Sequence, residues 1–277
     1  MTYDDIWRRL ASIYDTREAK AITRVLLEDL LGLTFADILC GATEHISDAE
    51  HALLNEAIDR LLHTEPLQYV LGKCQFAGHE FKVNPSVLIP RPETEWLVDE
   101  ITGMNTTTNT RILDIGTGSG CIAISIALGL KDMPYVEAWD ISREALDVAR
   151  ANAAQLDAKV TFCERDALHL LSENHVWDII VSNPPYICQS EVKDMADNVT
   201  RHEPHRALFV PDDDALVFYR HIATYAIAAL RQNGVLLFEC NTLYAQATCA
   251  MLLDMGFKRA HVVDDCFGKP RFVKAFA

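Results

Sequence analysis

In the stretch VSNPPYIC, residues 181–188, the apolar run Trp177–Ser182 gives way to a side-chain amide, two prolines and an aromatic ring. Prolines donate no N–H to a sheet, and Pro184 biases Asn183 away from helix. The chain thus leaves a strand presenting the Asn183 amide, two carbonyls without an accompanying N–H, and the Tyr186 ring. Acceptors and a ring grouped this way suit a planar polar group.

A second set lies upstream in RILDIGTGSGCIAISIA, which reads as strand, glycine loop and helix. Gly116, Gly118 and Gly120 let the backbone pass close to a ligand and turn sharply into the helix. The pattern is not G-x-G-x-x-G, because position 121 is Cys, and no Gly-Lys-Ser/Thr follows, so the dinucleotide and P-loop fingerprints both fail. The next strand ends in Asp140, where a carboxylate can accept both hydroxyls of a ribose and repel a 2′-phosphate. The strand after that leads to Asp166, placed to receive an adenine amino group. Glycine loop, ribose acid and adenine acid at the ends of three successive strands match a site for S-adenosylmethionine.

These groups need a scaffold, and the periodicity supplies one. From Arg111 onward strand patterns (Arg111–Ile115, Tyr135–Trp139, Lys159–Cys163, Trp177–Ser182, Gly234–Glu239) alternate with helical ones (Cys121–Leu130, Ser142–Gln155, Ala215–Leu230). That alternation predicts an α/β doubly wound sheet with ligands at the carboxyl ends of its strands. Lys258–Asp264 and Arg271–Phe276 lie too close together for a crossover helix, so they should pair antiparallel. Residues 1–72 show helical spacing, with a Ser47/Glu50 capping box, and predict a bundle of roughly four helices. Residues 73–92, with Gly78 and Asn84-Pro85, predict a β-hairpin or extended connector. The expected organisation is therefore a helical domain at 1–72, a connector at 73–92 and an α/β domain at 93–277.

Bulk composition narrows the function classes. The 277 residues carry 25 basic and 40 acidic side chains, a formal charge of −15, which argues against tight phosphate-backbone binding and predicts no direct nucleic-acid partner. Eight cysteines occur without a C-x-x-C pair, as expected of reduced thiols. The opening MTYDDIWRRL has no apolar signal core and no apolar run is long enough to span a bilayer, so a cytoplasmic protein without membrane contact is expected. RHEPHR (Arg201–Arg206) reads as a solvated face and Asp212–Asp214 as an acidic helix start. Neither predicts a metal site.

The site pattern over residues 111–277 resembles class I S-adenosylmethionine-dependent methyltransferases, a Rossmann-like fold whose seven-stranded sheet ends in an antiparallel strand. In that fold the tip of the fourth strand faces the transferable methyl, so Asn183-Pro184-Pro185-Tyr186 would hold the nucleophile. A planar nitrogen must pyramidalise to attack a methyl in line. Acceptors on its two hydrogens, the Asn183 side-chain oxygen and the Pro184 carbonyl, would turn its lone pair toward the carbon. No strong base is required, and the work is positioning.

Asn-Pro-Pro-Tyr is similar both to adenine-N6 nucleic-acid methyltransferases and to glutamine-N5 protein methyltransferases. The segment Glu65–Val98, above all NPSVLIPRPETE, together with NPPYI and the terminal GKPRFV, resembles the release factor glutamine methyltransferase (HemK-type) family across essentially the whole chain. That resemblance implies methylation of the glutamine of a Gly-Gly-Gln loop in peptide chain release factors, with S-adenosyl-L-homocysteine as product and a monomeric enzyme.

By position, it further implies that Gly116, Thr117, Gly118 and Gly120 line the methionine part of the cofactor. Asp140 would hold the ribose, and Asp166 with Ala167 would face the adenine. Asn183 would serve cofactor and substrate, with Pro184, Pro185 and Tyr186 on the substrate. Arg91, Glu93 and Thr94 would roof the site, and the helical domain would grip the release factor. Two stretches depart from the family pattern: Phe209–Ile222, with Val210, Pro211 and Asp214 in place of glycines, and Glu239-Cys240-Asn241 in place of Glu-x-Gly. An adenine-N6 methyltransferase or a non-catalytic binding module are the alternatives, and a nicotinamide-dependent oxidoreductase is more distant.

Overall fold

The computed structural model describes residues 1–277, except for the side chain of Asp194. Two compact units emerge, one of Met1–Lys73 with Ala196–His202, the other of Cys74–Met195 with Glu203–Ala277.

The first unit is helical: α1 (Tyr3–Leu10), α2 (Thr16–Leu31), α3 (Phe35–Leu39), α4 (Asp48–Leu62) and α5 (Leu67–Leu71). Its helix starts are fixed locally. Thr2 with Asp5, Thr34 with Asp37, and Ser47 with Glu50 form reciprocal capping boxes, each worth about 1 kcal/mol. Gly32 and Gly72 end α2 and α5 in the left-handed conformation. Ile6, Leu10, Leu26, Leu27, Leu54, Ile58 and Leu61 make the core. The count exceeds the four helices expected, because α3 and α5 span only five residues each and are too short to show a period.

The second unit begins with a hairpin, β1 (Lys73–Phe76) and β2 (His79–Lys82), then α6 (Glu95–Thr102). Next come β3 (Arg111–Ile115), α7 (Cys121–Gly129), β4 (Tyr135–Asp140), α8 (Arg143–Gln155), β5 (Thr161–Glu164) and β6 (Trp177–Ser182). A short strand β7 (Ile187–Cys188) follows, and helix α9 (Asp197–His202) belongs to the first unit. There the His202 ring bonds the His63 carbonyl at 3.1 Å. The chain continues through α10 (His205–Leu208), β8 (Phe209–Val210), α11 (Val217–Ala229), β9 (Leu230–Glu239), α12 (Ala245–Asp254), β10 (Arg259–Asp264) and β11 (Pro270–Phe276).

Seven strands form one sheet in the order β10-β11-β9-β6-β3-β4-β5. The five strands β9, β6, β3, β4 and β5 run parallel, and β11 joins them antiparallel. Two apolar clusters flank the sheet: one takes residues of α6 and α7, the other residues of α11 and α12. Helices on both faces explain why β3 and β6 are buried almost throughout instead of alternating with exposed positions. β9 starts four residues before the expected Gly234, since Leu230 pairs with Trp177 and an irregularity then shifts the register. Asn233 adopts a positive φ of 65° just before Gly234.

Register decides what meets at the carboxyl ends. Ile115 of β3 pairs with Ser182 of β6, and Ser182 pairs with Phe238 of β9. The glycine loop, the Asn-Pro-Pro-Tyr loop and Glu239 therefore leave adjacent strands at one level. The chain reverses its winding between β3 and β6, the place where doubly wound sheets open a crevice.

Gly120 shows how tightly the loop is joined to its helix. It caps α7 at φ 82°, and a Cβ there would lie 2.8 Å from Ile124 Cδ1 and 3.1 Å from Ala149 Cβ. Gly120→Ala should lower stability by roughly 1–3 kcal/mol through strain and overpacking, read as a shifted urea midpoint. An unchanged midpoint would show that the loop can re-form elsewhere.

Candidate active site

At the carboxyl ends of β3, β4, β5 and β6 lies a cavity of about 660 Å³. Gly116, Gly118, Asp140, Asp166, Ala167, Asn183, Pro184 and Pro185 all line it, so the structure brings most of the expected site residues to one cavity. Gly116 and Gly118 adopt φ of 77° and 55°, which L side chains rarely do, and they leave the cavity floor as bare backbone. Thr117 and Gly120 lie outside the lining: Thr117 is buried with its hydroxyl on Asp114, and Gly120 starts α7.

Asp140 is held from behind. Its Oδ2 accepts from Gly118 N and its Oδ1 from Ser142 N, each at 2.9 Å. Burial pushes its carboxyl above the usual range, against the pull of those N–H groups. The two bonds fix the orientation and leave further lone pairs for a diol. Asp166 accepts from Leu168 N at 2.9 Å and bonds the His169 ring at 2.7 Å. Burial opposes its charge, but these bonds outweigh it and hold the carboxyl below its ordinary value. A bare-backbone floor, one carboxylate fixed beside it and another a strand further on fit a nucleoside carrying an amino group. This set of acceptors therefore suits S-adenosylmethionine.

At the opposite wall, Asn183 Nδ2 lies 3.4 Å from Thr94 Oγ1, and Thr94 Oγ1 donates to Glu239 Oε2 at 2.6 Å. Among the described residues, no donor reaches Asn183 Oδ1 or the Pro184 carbonyl. Two residues lining the cavity thus carry acceptors not spent on the protein's own groups. Tyr186 points elsewhere: its hydroxyl donates to Glu239 Oε1 at 3.2 Å, and its ring packs against the α11/α12 core. Burial and the nearby Glu239 charge raise its pKa far above the phenol range, so it stays neutral.

Three residues expected to roof the site do not line the cavity. Thr94 is 2% exposed beneath it, and Glu93 is half-buried. Arg91 forms a 2.6 Å ion pair with Glu203, whose carboxylate is buried and also accepts from Ile89 N at 3.2 Å. This corrects the solvated reading of RHEPHR: Glu203 is an internal tie, and Pro204, His205 and Arg206 line the cavity. Its partners stand more than 100 positions away, a distance at which local periodicity is silent. The Asp212–Asp214 run precedes α11 instead of opening it; Asp214 pairs with Arg220 at 2.8 Å, and Asp212 accepts from Ser190. Among the described residues, no three His, Cys, Asp or Glu are grouped to hold a metal ion, and no helix is long and apolar enough to cross a membrane.

Together, the sheet order, the antiparallel last strand and the cavity at the switch point define a class I methyltransferase fold. A model of the methyltransferase small domain matches residues 93–223, and one of the PrmC N-terminal domain matches residues 5–72. The catalytic domain of hMettl16 superposes with a TM-score of 0.55 at 17% identity, over 83% of this chain and 82% of its own. A methyltransferase from Pyrococcus furiosus gives 0.52 at 15%, over 79% and 96%.

Sequence relatives are closer. The release factor glutamine methyltransferase of Bacteroides thetaiotaomicron is 45% identical over 98% of this chain and 97% of its own. That of Flavobacterium psychrophilum is 39% identical over 96% and 94%. The chain belongs to the release factor glutamine methyltransferase family.

Beneath the glycine loop sits Asp114, fully buried. Its Oδ2 accepts from Thr117 at 2.6 Å, while Oδ1 has no partner among the described residues. Burial pushes its carboxyl from 3.8 up to about 7. The folded state therefore keeps a proton that the unfolded chain releases near pH 4. The stability this confers is complete below pH 3.8 and is lost as pH rises through 7. At about 1.4 kcal/mol per unit of separation, a few kcal/mol are involved. Asp114→Asn should flatten the fall in melting temperature between pH 5 and pH 8. Parallel profiles for variant and wild type would show that Asp114 is ionised in the fold.

Proposed function

We propose that this chain transfers the methyl of S-adenosylmethionine to the side-chain amide nitrogen of the glutamine in the Gly-Gly-Gln loop of peptide chain release factors. Family membership supports the substrate. The observation that carries the chemistry is the pair of open acceptors, Asn183 Oδ1 and Pro184 O, on residues that line the same cavity as Gly116, Gly118, Asp140 and Asp166. When bound, S-adenosylmethionine supplies a methyl carbon made electrophilic by its sulfonium.

The chain's own residues do the positioning. Gly116 and Gly118 open the floor, Asp140 takes the ribose hydroxyls, and Asp166 with the Ala167 backbone takes the base. Asn183 Oδ1 and the Pro184 carbonyl each accept one hydrogen of the glutamine amide, which draws its nitrogen out of conjugation and aims its lone pair across the cavity. Pro184 and Pro185 bring no N–H to compete for those acceptors. The Asn-Pro-Pro backbone is kept in place from behind by Tyr186, whose hydroxyl is already committed to Glu239. Alignment of this kind can be worth several kcal/mol, up to roughly 7–11 in ideal cases.

In this reading the helical domain at 1–72 engages the body of the release factor, residues 73–92 connect, and 93–277 carry out the transfer. The enzyme works as a cytoplasmic monomer, without metal or direct nucleic-acid contact, and its net charge of −15 agrees with a protein substrate.

The decisive assay offers radiolabelled S-adenosylmethionine with a purified release factor, its loop Gln→Ala variant and duplex DNA. Label should appear on the release factor alone and vanish in the variant; label on DNA would hand the site to adenine-N6 chemistry. Asn183→Ala should lower kcat by roughly 100-fold or more, with cofactor binding largely kept. Asp140→Ala should instead raise the S-adenosylmethionine Kd by roughly 10–100-fold in calorimetry, the worth of a charged hydrogen bond. Unchanged turnover in the first, or unchanged affinity in the second, overturns the corresponding role.

A further inference from the structure

Glu239 is 1% exposed, and neither of its carboxylate oxygens faces the cavity. One takes the Thr94 hydroxyl at 2.6 Å and the other the Tyr186 hydroxyl at 3.2 Å. Those two residues flank the gripping loop, Thr94 beside Asn183 and Tyr186 after Pro185. We infer that Glu239 is a positioning residue that sets which end of the Asn183 amide faces the cavity, acting through Thr94. The inference rests on the reading of Asn183 as one half of the amide grip.

The argument is one of proton counting. A threonine hydroxyl carries one hydrogen, and an ionised carboxylate can only accept. With that hydrogen given to Glu239, the Thr94 oxygen can only accept from its other neighbour. That neighbour is the Asn183 side chain, 3.4 Å away, and the end it must turn to Thr94 is its N–H. The carbonyl end is then left for the cavity. The two ends of an asparagine amide are nearly equal in shape, so packing alone does not choose between them. Reversed, Asn183 would present two hydrogens to the hydrogens of the incoming amide, and the grip would become a repulsion.

The surroundings keep the carboxylate able to play this part. Burial, with the Glu93 charge, raises its pKa above the ordinary carboxylate value, and the Thr94 bond, the Arg271 guanidinium and the Tyr186 bond oppose that rise. Arg271 is on β11, directly preceding the Phe272 that pairs with Glu239, and is itself held by Asp265 at 2.8 Å. Residues brought together from 94, 183, 239 and 271 thus form one directed chain of hydrogen bonds and charge.

Glu239→Gln keeps the shape but lets the new amide donate to Thr94, freeing the Thr94 hydrogen for Asn183. Thr94→Val removes the hydroxyl at nearly constant volume, and Thr94→Ser restores it. With a release factor as substrate, kcat should fall roughly 10-fold or more in the first two and stay within about threefold of wild type in Thr94→Ser, with the S-adenosylmethionine Kd little changed in all three. A readout independent of turnover is hydrogen exchange of the Asn183 side-chain amide, assigned by its loss in Asn183→Asp. One proton should be protected in the wild type and Thr94→Ser, and exposed in Glu239→Gln and Thr94→Val.

Full activity in Glu239→Gln or Thr94→Val overturns the inference. So does a Thr94→Ser enzyme as slow as Thr94→Val, unaltered amide exchange, or an effect confined to the cofactor Kd. Should the wild type transfer no label to the release factor, the functional reading fails by itself, and the exchange measurement still decides the orientation of Asn183.

Discussion

The reactive end of this sheet is organised around a carboxylate shut away from the surface. Glu239 lies at the end of β9 and is 1% exposed, and an ion so placed costs several kcal/mol unless every lone pair finds a use. Its side-chain oxygens take hydroxyls from the segment before α6 and from the loop after β6, and its backbone carbonyl accepts from Tyr219 of α11 at 3.2 Å. Four elements far apart in sequence are thereby required to meet. The same requirement explains the terminal Lys-Pro-Arg-Phe: Arg271 brings the compensating charge, and the antiparallel insertion of β11 beside β9 is what delivers it.

The opposite wall uses the other resource of the fold, bare backbone. Gly116 and Gly118 line the cavity without side chains; Gly116 N–H donates to the Trp139 carbonyl at 2.8 Å, and Gly118 N–H locks Asp140 in place. The carboxylate of the second strand and the loop of the first are thus one mechanical unit, so a ligand meets a site whose hydrogen-bonding directions are already fixed. Such preorganisation lowers the cost of binding, since few rotors remain to be frozen. It also suits a reaction in which placement does the work. Within the described residues the cavity wall offers carboxylates and carbonyls as acceptors, and Tyr186 is kept neutral and occupied by Glu239.

Much of this was legible in the sequence, and the reasons are local. Strand spans in the sheet follow from apolar runs ended by Gly, Asp or Pro, so β3 and β6 fall on the expected residues. Ser47 and Glu50 show a helix start because the capping bonds span only three positions. The cavity-lining Gly116, Gly118, Asp140 and Asp166 were visible because a doubly wound sheet places strand ends together whatever lies between. What stayed hidden is non-local. Glu203 resembled a surface residue because its partners, Ile89 and Arg91, are brought to it only by the fold. Helix α9 joins the first unit from a sequence position within the second, and no period along the chain can announce that. Tyr186 and Thr94 carried a motif's promise of substrate contact, yet both spend their hydroxyls on Glu239.

These differences share a cause. A sequence motif marks which residues must stand near the chemistry, but not which side of the wall each one serves. Asn183 and Pro184 face the cavity, whereas Thr94 and Tyr186 sit behind them and restrict how they can turn. A loop with two prolines already has little backbone freedom, so the remaining ambiguity is the Asn183 side chain, a single rotor with two ends of similar shape and opposite polarity. Resolving that ambiguity takes a neighbour of defined direction, and a buried carboxylate acting through one hydroxyl is a small device able to supply it. The burial of Glu239, costly in isolation, is then intelligible as the source of direction for the one side chain whose polarity the grip depends on.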